Sequence, residues 1–78
     1  MQYISVRVVN GSGTPCYYEK VTIMRANIVG GTYPAQWTNR DGLAEFEIDI
    51  SSSDRIIVSV KGRSLYEGCP RAKIAVVV

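Results

Sequence analysis

The sequence predicts an all-β domain, a small antiparallel β-sandwich of about six to seven short strands. Three observations predict it: apolar residues recur with period two along most of the chain, no helix-length segment carries them at helical spacing, and clusters of turn residues interrupt the alternation at short intervals. With only 78 residues there is material for one hydrophobic core, so residues 1–78 are read as a single β-sandwich domain. A hydrophobic share of 46% with 21% charged residues is ordinary globular usage, which excludes a disordered tail or a disulfide-saturated scaffold.

The first strand places Ile4, Val6 and Val8 on one face and Tyr3, Ser5 and Arg7 on the other, and stops at Asn10-Gly11-Ser12-Gly13-Thr14-Pro15. A second, from about Tyr18 to Ala26, sets Val21, Ile23 and Arg25 against Lys20, Thr22 and Met24. Asn27 to Thr32, with Gly30-Gly31, reads as a loop. Pro34 to Thr38 is a short strand with Ala35 and Trp37 on one face, and Trp37 is expected in the core across from Phe46. Asp41-Gly42 supplies the positive-φ position of a tight hairpin turn. Beyond it Ala44, Phe46, Ile48 and Ile50 face inward while Glu45, Glu47 and Asp49 form a solvated outer face. Ser51-Ser52-Ser53-Asp54 connects to a strand from Arg55 to Lys61 with Ile56, Val58 and Val60 inward, ended by Gly62. Ser64-Leu65-Tyr66 is at most a brief extra strand before Gly68, Cys69 and Pro70. Ala72 to Val78 closes the chain with Ile74, Val76 and Val78 inward, and Val77 predicts that this strand is paired inside a sheet.

Formal net charge is +2 and there is no histidine, which removes the commonest general base and the commonest zinc nitrogen ligand together. Without histidine, Ser51, Ser52, Ser53 and Cys16 have no evident activating base. No catalytic, metal-ligating or cofactor-binding residue is predicted, and no cofactor. The basic residues are dispersed rather than striped, so a nucleic-acid partner is not expected, and no apolar run is long enough for a membrane-spanning helix. No secretory signal is visible at the start, which leaves a cytoplasmic protein or a module excised from an exported parent. Asn10-Gly11-Ser12 matches a glycosylation sequon but is read as turn chemistry.

Counting strands as simply up and down brings the loops holding Cys16, Asp41 and Cys69 to one end. A Cys16–Cys69 disulfide is then one outcome and two free thiols, in a reducing compartment, the other. Tyr17, Tyr18 and Tyr66 would cluster at the same end as a candidate binding patch, because rings in or beside loops combine a large apolar face with a polar tip.

Several segments together resemble a family. Val6-Arg7-Val8-Val9, the Gly11 to Pro15 stretch, Val21-Thr22-Ile23, Thr38-Asn39-Arg40-Asp41-Gly42-Leu43-Ala44-Glu45-Phe46 and Ile56-Ile57-Val58-Ser59-Val60-Lys61-Gly62 resemble the transthyretin-like or carboxypeptidase-regulatory-like small β-sandwiches, which are Ig-like and related to collagen-adhesin B-type domains. The resemblance implies architecture more than activity, since such domains are mostly non-catalytic accessory, stalk or adhesion modules. The hydroxyisourate hydrolase branch of that group uses histidines and a terminal Tyr-Arg-Gly-Ser, and neither is present. An isopeptide bond of the adhesin type would need a lysine in the first strand, where Arg7 stands, and an asparagine in the last, which has none. The expectation is a non-enzymatic accessory or structural module that binds a protein partner through loops or an edge strand, with an edge-strand homodimer possible. The alternative is a carbohydrate-binding module using the loop-end tyrosines.

Overall fold

A computed structural model describes residues 2–26, 33–51 and 53–78. The loop expected at 27–32 and Ser52 of the serine connector lie outside the described residues. The strands are β1 (Gln2–Val9), β2 (Lys20–Arg25), β3 (Gln36–Trp37), β4 (Leu43–Ile48), β5 (Ile56–Val60), β6 (Arg63–Gly68) and β7 (Lys73–Val77), with no helix among the described residues. They form a three-stranded sheet in the order β4-β1-β7 and a four-stranded sheet in the order β3-β2-β5-β6. The residues that alternation turned inward fill the layer between them: Ile4, Val6 and Val8 of β1 and Val21 and Ile23 of β2 are fully buried, and the inward residues of β4, β5 and β7 join them.

One pairing departs from the antiparallel expectation. β1 and β7 are parallel, in register from Ser5↔Lys73 to Val9↔Val77. The cause is β6, which is a full strand rather than a brief one. It pairs antiparallel with β5 and returns the chain to the opposite end, so the last strand must run beside β1 in the same direction. β7 is consequently an edge strand, and Val77 lies exposed on it rather than inside a sheet, because β1 takes the centre.

Local sequence sets the reversals. β5 and β6 meet in a two-residue turn in which Lys61 and Gly62 have φ of 55° and 76°, the left-handed pair whose twist suits a hairpin. A register shift between Val58 and Ser59 puts Tyr66 opposite Val58 and Ser64 opposite Ser59, leaving Leu65 as the bulged residue. Two further loops share one pattern. In each an asparagine side-chain oxygen accepts two backbone N–H groups, from Ser12 and Thr14 to Asn10 and from Asp41 and Leu43 to Asn39. A glycine three positions on, Gly13 or Gly42, then takes a positive φ of 83° or 76° and donates to the asparagine carbonyl. The Asp41-Gly42 turn is therefore present, but it carries the chain from β3 in one sheet to β4 in the other. It rests on the end of β1, where the Val8 N–H donates to the Gly42 carbonyl at 2.7 Å.

Candidate functional site

β1 ends, β2 begins and β3 ends at the same end of the sandwich, and their junctions build an aromatic surface. The Cys16 N–H donates to the Val8 carbonyl at 2.9 Å, which anchors the chain just before Tyr17 and Tyr18. Thr38, only 2% exposed, clamps the segment that carries Tyr18 into β2. Its carbonyl accepts the Tyr18 N–H at 3.0 Å, its N–H donates to the Glu19 carbonyl at 3.0 Å, and its hydroxyl accepts the Glu19 N–H at 2.8 Å. These bonds hold Tyr18 at a φ of 59°, a left-handed conformation costly for a bulky side chain. Burying Thr38 turns its neighbour Trp37 outward, opposite Lys20 on β2.

The result is three exposed rings in a row. Tyr17, Tyr18 and Trp37 are 62%, 67% and 48% exposed. The Tyr18 and Trp37 centroids lie 6.2 Å apart with planes inclined by 30°, and Tyr17 and Tyr18 lie 6.1 Å apart at 52°. Beside them the Lys61 ammonium pairs with the Glu19 carboxylate at 2.9 Å, and this hydrogen-bonded charge raises the lysine above its ordinary range. Asp41 and Gly42 sit in the adjoining Asn39 loop, and Cys16 is half-buried with its thiol 3.9 Å from the Thr14 carbonyl.

The predicted patch assembles only in part. Tyr17 and Tyr18 come together, whereas Tyr66 lies on β6 toward the opposite end, packed against the core with its hydroxyl donating to the Cys69 carbonyl at 2.7 Å. Cys69 is exposed there, and both cysteines are free thiols. Of the two outcomes left open for the cysteines the structure has the free thiols, and the extra strand that reverses β7 separates them: an up-and-down count that omits β6 puts Cys69 at the wrong end. Trp37 corrects a second expectation. It stands on the outside of an edge strand rather than in the core facing Phe46. The signal that could have found it is Pro34, which favours an edge strand, together with Thr38, a threonine well suited to bond a neighbouring backbone.

Elsewhere a shallow concavity of about 400 Å³ lies on the outer face of the β4-β1-β7 sheet, lined by Ser5, Arg7, Leu43, Lys73, Ile74 and Ala75. No carboxylate or thiol lines it. Glu45 on the same face accepts a hydrogen bond from the Tyr3 hydroxyl. No family model, curated protein or solved structure matches the chain.

Proposed function

We propose that this domain is a non-enzymatic interaction module that docks a protein partner through Tyr17, Tyr18 and Trp37. The observation that carries it is Tyr18, held in a costly backbone conformation with its ring exposed against Trp37. Strain of this kind persists where surrounding structure over-determines it, and exposed aromatic anchors are what partner-binding surfaces concentrate. The Ig-like, transthyretin-like reading belongs to the same proposal and rests on the Thr38 to Phe46 segment, whose turn links the two sheets.

The near-parallel Tyr18 and Trp37 rings favour one second reading, a carbohydrate stacked on the same surface. A single comparison separates them. The immobilised domain and its Trp37→Ala and Tyr18→Ala variants are exposed to extracts and, separately, to a glycan array at millimolar ligand. Proteins retained by the parent and lost by both variants support docking, sugars behaving so support the second reading, and retention unchanged by either substitution overturns both.

A further inference from the structure

We propose that the domain resists extension along its strands, as a force-bearing link would, through the parallel pairing of β1 with β7. The inference goes beyond partner docking, which uses the other sheet, and it holds or fails independently of that role. Gln2 enters β1 at one end of the sandwich, while β7 delivers Val78 at the other, beside Val9, whose carbonyl accepts the Val78 N–H at 2.9 Å. Tension between these two residues pulls adjacent parallel strands in opposite directions along their own axes.

Such a load is shared. The ladder holds the register pairs from Ser5↔Lys73 to Val9↔Val77 and is flanked by the Ser5 N–H bond to the Ala72 carbonyl, so sliding by one residue must break these bonds together rather than in turn. Sliding is opposed on β1's other side as well, where β4 pairs with it from Gln2↔Ile48 to Arg7↔Leu43. The same displacement would also turn Ile4, Val6 and Val8, all fully buried, toward the solvated face. Hydrogen bonding and side-chain burial therefore resist one coordinate. Pulling from Gln2 and Ala72 instead, which lie at the same end of neighbouring strands, opens the ladder one bond at a time.

Single-molecule stretching compares the two directions on one folded protein. Handles are attached through Gln2→Cys with Val78→Cys, or through Gln2→Cys with Ala72→Cys, in a chain carrying Cys16→Ser and Cys69→Ser. Thermal melts without load verify that the two preparations are equally stable. The rupture force for the end-to-end pair should clearly exceed that of the same-end pair at equal loading rate, because the register pairs bear it jointly. The end-to-end pair should also release in one step of about 20–25 nm, the extended length of the chain less its folded span. Equal forces in the two directions, or end-to-end release in small successive steps, overturn the proposal.

Discussion

Two side chains tie stability to alkaline pH. The Tyr3 hydroxyl donates to the Glu45 carboxylate, and losing its proton would set a phenolate against that carboxylate, so the folded state raises the tyrosine above its ordinary range. Lys61 is raised by its hydrogen bond and charge pairing with Glu19. Both groups hold their protons more tightly folded than unfolded. Their contribution is fully present below the unfolded-state values, near pH 10, and is lost as pH rises through the higher folded-state values. Melting temperature should accordingly fall above about pH 10, and Tyr3→Phe combined with Glu19→Gln should make that fall shallower. Melts from about pH 8 to about pH 12 check this, and an unchanged alkaline slope in the double variant would contradict it. Neither pairing is legible in the sequence, because Tyr3 and Glu45 meet only through the β1–β4 register and Lys61 meets Glu19 only through the side-by-side placement of β2 and β5.

Turns and strands differ in how openly the sequence announces them. β1, β2, β4 and β5 are readable with their inward faces, since each buries one side and leaves the other wet, and that asymmetry is what period two records. β6 is obscured because the bulge at Leu65 sets two half-buried residues side by side and breaks the alternation. β3 is too short for a phase to be read, so alternation alone sets Trp37 on the wrong face. The turn between β3 and β4 offers a direct test. A Cβ on Gly42 would lie 2.6 Å from the Val8 carbonyl oxygen and 3.1 Å from the Pro15 Cβ, at a φ that alanine resists. Gly42→Ala should cost about 2–4 kcal/mol in urea unfolding, from strain and displacement of the β1 end. Gly13→Ala in the matching loop meets no atom within 4 Å and should cost only the backbone strain, about 1 kcal/mol.

At the scale of the molecule, the obscured strand β6 governs three outcomes: the direction of β7, the location of Cys69 and the membership of the aromatic patch. Oxidation provides the corresponding test. With Cys16 and Cys69 at opposite ends, mild oxidant should give intermolecular disulfides through exposed Cys69 and no intramolecular bridge, as read by mass spectrometry of the non-reduced monomer. A bridged monomer would refute the strand order. That order also couples the earliest residues to the latest, since the centre of one sheet is β1 and its closing neighbour is β7. On a ribosome, the β4-β1 pair must wait with β1's second edge unsatisfied until the last strand has cleared the exit tunnel. The nascent chain is therefore most exposed to chaperone capture or mispairing in the interval after β4 has emerged and before β7 has.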